Sequence, residues 1–541
     1  MIVNLVLSGK FCSDPSFERL EIVPLICVFL VTVLHVIWRL PRLACNFLLS
    51  TLRILSHSAL GSSDTVDEWF RYRIVEDIPL DMRTALANFA VEPVFTRYIC
   101  CPKCCTLFPL DQLPQEEVLD TADSGSDGEE FAVNPKSSSR LYCQNQDTPG
   151  SAVCNAPLYR VRFIKGKGFL RPKRTFLYQD FPTWLARFVC RPGLETLLER
   201  PVQTLKKEPP PVLHDIWDGT MVRNFKDADG QPFFLYHGPE LRLLFAFFYD
   251  NFNPYHNRQA GKKYSVGVMF LVCLNLCSDE RFKRQNMFLI GILPGPKQPS
   301  LTQINHFLKP LVDQLGTFYS SGYFLSATRL QPRGRIVRGA LIPVVADLHA
   351  ARQAVGFGSH ASKHFCTFCG LLIQDIENTD PTNWPPLRTC VIHRQQAEAW
   401  RDAPSEATRM ALFHQSGVRW SEFLRLDYFD PSSFLVFDTM HGWFLNAFEN
   451  HIRTIFGISL DKASGDGLFV SARPAGPHTT PHEYLETLKT LQAKRYSELG
   501  QIKKLILYDV CAYRNLRRAD GRPQMCRSLQ HYYVCLSIYF V

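Results

Sequence analysis

Long apolar runs with polar residues at their ends divide the chain into a short leader and a larger α/β segment. The stretch IVPLICVFLVTVLHVIW, residues 22–38, contains no Asp, Glu, Lys or Arg. A second apolar run follows it, up to about residue 60. The first run lies at the lower edge of membrane-spanning length, so the pattern leaves two interpretations open, a buried helical hairpin or a membrane anchor.

From about residue 240 the pattern is that of strands and a helix in alternation. LRLLFAFFYDNFNP, YSVGVMFLVCLNL and NMFLIGILPGP predict three successive strands, and SLTQINHFLKPLVDQLGTFYSSG predicts a helix. GRIVRGALIPVVAD then predicts a fourth strand. This is the order of an RNase H-like core, although many α/β proteins share it.

An acid follows the first and the fourth predicted strand. Asp250 and Asp347 are each the first acid after an apolar run. Two carboxylates brought together at strand ends repel each other unless a divalent cation lies between them, and Mg²⁺ or Mn²⁺ takes such hard oxygen ligands. The other interpretation is that both are turn or cap residues, which is a common position for Asp.

The cysteines indicate metal binding rather than disulfides. The chain has 18 cysteines, and CxxC pairs suit one metal ion better than a bridge. Cys101 and Cys104 precede an acidic Ser/Gly-rich loop that leads to Cys143 and Cys154, so these four predict a structural Zn²⁺ site. Cys100 and Cys105 are alternates for the first pair, and buried unpaired thiols are the competing interpretation.

A second CxxC pair, Cys366 and Cys369, supplies half of another zinc site. His441, in VFDTMHGW, is a candidate third ligand, and Asp438 precedes it by three residues. If this segment is helical, Asp438 and His441 lie on one face. A hydrogen-bonded core histidine is the competing interpretation of His441.

Charge permits a nucleic-acid partner without requiring one, because the formal net charge is +9. A composition of 46% hydrophobic and 21% charged residues excludes wholesale disorder. One basic run is interleaved with phenylalanines, a mixture that suits phosphate contacts and base stacking, although a solvated β-hairpin explains it equally well. Its basic residues are Arg160, Arg162, Lys165, Lys167, Arg171, Lys173 and Arg174.

The predicted fold class is therefore α/β, with an RNase H-like core preceded by a small zinc-binding module and an apolar helical segment. The predicted division is an apolar leader at 1–60, a cysteine-rich module at 61–175, connecting helices at 176–239, the α/β domain at 240–460 and a helical tail at 461–541.

Taken together, the chain resembles the transposases of fungal Plavaka elements, relatives of the plant CACTA (EnSpm) DNA transposons. The most specific of the matching blocks are the ILPGPKQP and ADLHAAR…CTFC segments. The blocks are CPKC at 101–104, PKRTFLYQDFPTWLARFVCRPGLETLLE at 172–199, DIWDG at 215–219, YDNFNPY at 249–255, LIGILPGPKQPSLTQINHFLKPLVDQL at 289–315, VVADLHAARQAVGFGSHASKHFCTFC at 344–369 and FDTMHGWFLNAFENHIR at 437–453.

This resemblance implies metal-dependent DNA strand cleavage and joining at transposon ends, in the nucleus, by a protein that could act as a homo-oligomer. Asp250 and Asp347 would be the first two acids of a DDE/D triad binding Mg²⁺ or Mn²⁺. Cys366 and Cys369 would match the family's CxxC motif, and Asp438 with His441 its DxxH motif.

The third acid of the triad, normally a Glu well downstream of DxxH, is not identifiable. The C-terminal stretch MCRSLQHYYVCLSIYFV resembles nothing in the family, so we expect a truncated and inactive transposase. Two other classes stay open: a zinc-containing DNA-binding or interaction protein without catalysis, and a protein anchored in a membrane through residues 22–38.

Overall fold

A computed structural model describes residues 20–61, 68–89, 93–110, 118–119, 141–164, 167–235, 238–254, 264–449, 459–460 and 469–470. The expected helical tail at 461–541 therefore lies almost entirely outside the described residues. What is described is a mixed α/β structure with one large sheet and a helical unit at the N-terminal side.

Four helices form the N-terminal unit, which has a small hydrophobic core of its own. They are α1 (Ile22–Val36), α2 (Arg42–Gly61), α3 (Glu68–Glu76) and α4 (Met82–Asn88). One face of α1 packs on α2 and α4, and Asp81 caps α4 by accepting a hydrogen bond from the Arg83 backbone N–H at 2.7 Å. Among the described helices, none combines the length with the apolar character that crossing a bilayer would need.

Five strands form the central part of the large sheet, and the apolar runs predict the first four of them. They are β7 (Leu241–Phe252), β8 (Val266–Cys273), β9 (Met287–Leu293), β11 (Arg335–Ala346) and β12 (Leu435–Phe437). Strands β7, β8 and β9 form an antiparallel meander, β11 pairs in parallel with the other edge of β7, and β12 pairs in parallel with β11. The spatial order is therefore β9-β8-β7-β11-β12. The long apolar and mostly buried middle parts of β7 and β11 fit strands covered on both faces.

Helices cover this sheet, and a helical insertion that contains α11 and α12 precedes β12. Helix α9 (Ile304–Ser320) connects β9 to β10 (Tyr323–Leu325), which pairs with the start of β11, and α10 (Leu348–Val355) follows β11 directly. The other α-helices are α5 (Phe181–Val189), α6 (Leu194–Leu205), α7 (Thr220–Arg223), α8 (Ser278–Arg281), α11 (Cys390–Arg401) and α12 (Glu406–Ser416), and a π-helix at Met440–Phe448 follows β12.

The cysteine module is joined to the same sheet. Strands β1 (Phe95–Cys100), β2 (Leu107–Pro109) and β6 (Thr175–Gln179) extend it, with β6 pairing antiparallel with β9. A separate small sheet holds β3 (Val118–Leu119), β4 (Tyr159–Ile164) and β5 (Lys167–Pro172). The sheet therefore crosses the boundary that the sequence predicts at residue 175. A further pair, β13 (Ser459–Leu460) with β14 (Phe469–Val470), completes the described strands.

Aromatic rings fill the core between the sheet and the helices. Phe181 lies at the start of α5. Its ring centroid is 5.7, 5.3 and 5.1 Å from the ring centroids of Phe245, Phe288 and Phe318, all in edge-to-face geometry. The core therefore links β7, β9, α5 and α9 into one body, which fixes the strand ends that carry the acids.

Candidate functional site

Two of the predicted acids lie level with each other at the ends of neighbouring parallel strands. The last paired residues of β11 and β7 are Ala346 and Tyr249, so Asp347 and Asp250 are the next residue on each strand. Parallel strands run about 4.8 Å apart, and residues at the same register project to the same face. Strand β7 continues to Phe252, so Asp250 lies within it rather than at its last residue.

A third acid, Asp438, lies at the same level on the next strand. Ala346 pairs with Phe437 across β11 and β12, and the Asp438 backbone N–H donates to the Ala346 carbonyl at 3.1 Å. Asp438 therefore follows the same register as Asp347. Asp250, Asp347 and Asp438 thus occupy equivalent positions on three adjacent strands, with Asp347 in the middle, and all three are half-buried.

Local hydrogen bonds hold these carboxylates. Asp347 caps α10 by accepting a hydrogen bond from the Ala350 N–H at 2.6 Å. Asp347 is therefore a cap residue, and this role is compatible with metal binding. Asp438 accepts from the Met440 N–H at 3.1 Å and Asp250 from the Asn251 N–H at 2.7 Å. Each bond uses one carboxylate oxygen and satisfies a backbone donor. A carboxylate has two oxygens with about four acceptor sites, so such a bond is compatible with a cation on the same group.

Tyr249 lies next to Asp250 and is affected by the negative charge at this edge of the sheet. Its side chain is buried, and its hydroxyl donates to Asn251 Oδ1 at 3.2 Å. Burial raises the pKa of Tyr249 far above its usual value, and the negative charges of Asp347 and Asp250 add to that rise. Both carboxylates therefore act on one point, as expected of groups at a common edge.

The four cysteines of the first predicted zinc site come together. The Sγ atoms of Cys101, Cys104, Cys143 and Cys154 all lie within 4.8 Å of one another, and among the described residues this is the one group of three or more such ligands. The Cys101–Cys154 and Cys104–Cys143 Sγ distances are 3.7 and 3.4 Å. Four sulfurs at about 2.3 Å from one zinc ion lie roughly 3.8 Å apart, so the cluster fits tetrahedral Zn²⁺.

Two similar turns build this cluster. The residue after the second cysteine of each pair has a left-handed backbone, with φ of 65° at Cys105 and 48° at Asn155. The Lys103 N–H donates to Cys101 Sγ at 3.4 Å, an interaction that stabilises a thiolate. Burial raises the pKa of Cys143 to about 12, so a cation must displace protons to bind here. The long gap between Cys143 and Cys154 is closed by antiparallel pairing of Tyr142 with Pro157.

The cluster is docked on the segment between β9 and α9. Gln303 Nε2 donates to the Lys103 carbonyl at 2.9 Å, and Thr106 Oγ1 lies 3.4 Å from His306 Nε2. Arg174 donates to the Pro294 carbonyl and, at 3.5 Å, to the Pro102 carbonyl. The ILPGPKQPSLTQINH block therefore has a structural role that its sequence alone did not indicate, because it holds the cysteine module against the core.

The second CxxC pair forms a compact turn. The Sγ atoms of Cys366 and Cys369 are 3.4 Å apart, and the Cys369 N–H donates to Cys366 Sγ at 3.3 Å. Arg388 Nε donates to the carbonyls of both cysteines at 3.2 and 3.0 Å. The side chain of His441, the predicted third ligand, lies outside the described residues. His364 Nε2 lies 3.2 Å from the His414 carbonyl oxygen and donates to it.

Buried arginines around this turn are site residues that sequence reasoning missed. Arg352 is 1% exposed and donates to the His364 and Phe365 carbonyls, and Arg419 donates to the Phe357 carbonyl. Burial lowers the pKa of Arg352 to about 10. These side chains tie the CxxC turn to α10 and thus to Asp347. An arginine in an alanine-rich helix gives no sequence signal of burial.

The basic run forms the β4–β5 hairpin and the residues just after it. Some of its basic side chains are exposed, and others contact the rest of the protein. Arg160 pairs with Arg171 and Arg162 with Phe169 across the hairpin, so these four project from one face. Arg160 and Arg162 are exposed, whereas Arg174 is engaged with Pro294 as described above. Lys173 lies half-buried beyond β5, and the side chains of Lys165 and Lys167 lie outside the described residues.

The middle of the chain matches a known protein family. Residues 212–380 match the family described as Transposase family tnp2. The matched stretch contains Asp250, Asp347, Cys366 and Cys369, and it covers about a third of the chain. No curated protein matches the chain. This segment is therefore similar to a transposase family, and the match supports a transposase-like protein.

Proposed function

We propose that this chain is a transposase-type DNA strand-transfer protein whose metal centre is the carboxylate edge formed by Asp250, Asp347 and Asp438. The observation that carries the proposal is the shared register of these three acids on adjacent strands, inside and next to the segment that matches the transposase family. The nucleus is the expected compartment, because its substrate would be chromosomal DNA.

The strand topology supports an RNase H-like core. A meander of three antiparallel strands is followed by a helix and by β11, which adds in parallel to β7, and β12 then adds in parallel to β11. The resulting order is β9-β8-β7-β11-β12. The chain order of β7, β8, β9, α9 and β11 is the one that the sequence predicts for such a core. In it, β7 and β11 are central and deliver Asp250 and Asp347 to the same edge.

Asp438 is a candidate for the third acid, which the sequence did not identify. The resemblance led us to expect a Glu downstream of DxxH. Of the nearby candidates, Glu449 is described and half-buried, whereas Glu483, Glu486 and Glu498 lie outside the described residues. Asp438 instead occupies the strand position beside Asp347. We propose that it supplies the third carboxylate, which makes catalytic competence the expected state of the chain.

The donor set fits a hard divalent cation. Three carboxylates at one edge repel one another, and Mg²⁺ or Mn²⁺ relieves this repulsion with oxygen ligands. A cation held there would neutralise charge on a phosphodiester during attack by water or by a DNA 3′-hydroxyl. Asp347 lies between the other two acids, so it is the residue best placed to bind the cation together with either of them.

The basic hairpin is the proposed DNA contact. Arg160, Arg162 and Arg171 can neutralise phosphates, and Phe169 on the same face offers a stacking surface. We propose that Arg174 and the Zn²⁺ held by the four cysteines fix the hairpin relative to the carboxylate edge. Arg174 is then a positioning residue.

The test is metal-dependent cleavage of duplex DNA that carries the sequences flanking the coding region of this chain. The zinc-loaded full chain should nick this DNA with Mg²⁺ or Mn²⁺, and Asp250→Asn, Asp347→Asn and Asp438→Asn should each abolish nicking. Asp402→Asn is the matched control, since Asp402 pairs with Arg401 at the surface. Nicking by Asp347→Asn, or DNA binding without nicking by the wild type, would refute the proposal and favour a non-enzymatic DNA-binding protein.

A further inference from the structure

The N-terminal helical unit carries an apolar surface that the proposed function does not use. One face of α1 is buried through Cys27, Val28 and Val31, which pack on α2 and α4. The opposite face is exposed: Ile22 is 71%, Ile26 59%, Phe29 57% and Val36 56% accessible.

The spacing of these residues is that of a helix–helix seam. Ile22, Ile26, Phe29, Val33 and Val36 follow one another at intervals of four, three, four and three residues. This alternation places side chains in one stripe along a helix and is the spacing by which one helix packs along another. The α1 stripe, defined by these five residues, therefore fits a helical partner better than a flat surface.

We infer that the α1 stripe is a homodimer interface in which α1 of a second copy packs antiparallel to it. Residues 22–36 contain no charged side chain, so two identical stripes meet without repulsion. The charges at the two ends are opposite, Glu21 before the helix and Arg39 after it, and both are exposed. An antiparallel pair places Glu21 of each copy next to Arg39 of the other, whereas a parallel pair places like charges together.

The available area matches what a stable pair needs. Four side chains of the stripe are more than half exposed, namely Ile22, Ile26, Phe29 and Val36, and so are Ile37 and Trp38, which directly follow the helix. At roughly 100–150 Å² each they offer on the order of 700 Å² per copy, close to the ~800 Å² per partner of a standard interface. Phe29 is the central residue of the stripe, so it faces its own copy across the two-fold axis.

Sedimentation velocity of the zinc-loaded full chain tests the interface. The wild type should be a dimer at micromolar concentration, Phe29→Glu a monomer, and an equimolar mixture of Phe29→Glu and Phe29→Lys a dimer again. Leu213→Glu is the matched control, because Leu213 is 64% exposed but lies outside the stripe, and it should stay dimeric. A monomeric wild type, a dimeric Phe29→Glu, or a wild-type monomer that binds lipid vesicles would overturn the inference.

Charge reversal gives a second test that spares the apolar surface. Glu21→Lys alone and Arg39→Glu alone should each weaken the dimer several-fold, and the double variant should restore it. If both single variants dimerise like the wild type, the antiparallel arrangement is wrong. Zinc content and circular dichroism of each variant confirm that the chain is folded.

Discussion

Arg335, at the first residue of β11, is predicted to be a major determinant of stability. Its guanidinium is 3% exposed and donates to Glu195 at 2.8 Å, to Glu199 at 2.6 Å and to the backbone carbonyls of Pro239 and Glu240. Glu195 is itself 2% exposed. Arg335→Met therefore leaves a buried carboxylate without its cation.

The expected cost follows from this burial. Removing one partner of a fully buried ion pair destabilises a protein by about 3–5 kcal/mol. Glu199 is 40% exposed, so solvent screens its contribution and we assign the effect to Glu195. Glu195 keeps hydrogen bonds from Thr328 Oγ1 at 2.7 Å and the Leu330 N–H at 2.9 Å, which places the loss at the lower end of that range.

Urea unfolding of the zinc-loaded chain, followed by tryptophan fluorescence, measures this loss. Glu195→Gln in the Arg335→Met background removes the unpaired charge and should recover at least ~1 kcal/mol. Lys309→Met is the control, because its exposed pair with Asp313 is worth below about 0.5 kcal/mol. A loss below ~1 kcal/mol for Arg335→Met, or a further loss in the double variant, would refute the reasoning.

Three further predictions follow from single contacts. His393 is buried, and this burial lowers its pKa to about 3. The unfolded chain therefore takes up a proton below pH ~6.5 that the folded chain does not, and the free energy of unfolding falls by about 2 kcal/mol at pH 5. His393→Phe should flatten this pH dependence in thermal unfolding, and an unchanged slope would contradict the prediction. Gly339→Val should lower the melting temperature, because a Cβ there would meet the Leu243 carbonyl and the Phe318 ring at 2.4 Å; an unaltered melting temperature would show that the strands have room to shift. Cys143→Ser should lower bound zinc by one ion in elemental analysis, whereas Cys277→Ser, at an exposed thiol, should not; equal zinc in both would exclude the four-cysteine site.

The sequence predicted the elements that hydrophobic periodicity governs. The apolar runs located β7, β8, β9, α9 and β11, because strands and helices with a buried face carry their own pattern. The grouping of Cys101 and Cys104 with Cys143 and Cys154 was also predicted, and the CxxC spacing of the first pair was its main signal.

What the sequence could not predict depends on contacts between distant segments. Strand β12 is three residues long and is separated from β11 by residues 347–434, so neither its pairing nor the alignment of Asp438 with Asp347 has a local signal. The docking of Gln303 on the Lys103 carbonyl is equally non-local. The fate of the His441 prediction is untested, because that side chain lies outside the described residues.

Manganese binding tests the central claim most directly, because Mn²⁺ is paramagnetic and substitutes for Mg²⁺ at carboxylate sites. Electron paramagnetic resonance titration of the zinc-loaded full chain should show saturable Mn²⁺ binding in the wild type and in Asp402→Asn. Binding should be lost in Asp347→Asn and weakened in Asp438→Asn. Equal Mn²⁺ binding by the wild type and Asp347→Asn would contradict the assignment of the carboxylate edge as a metal centre.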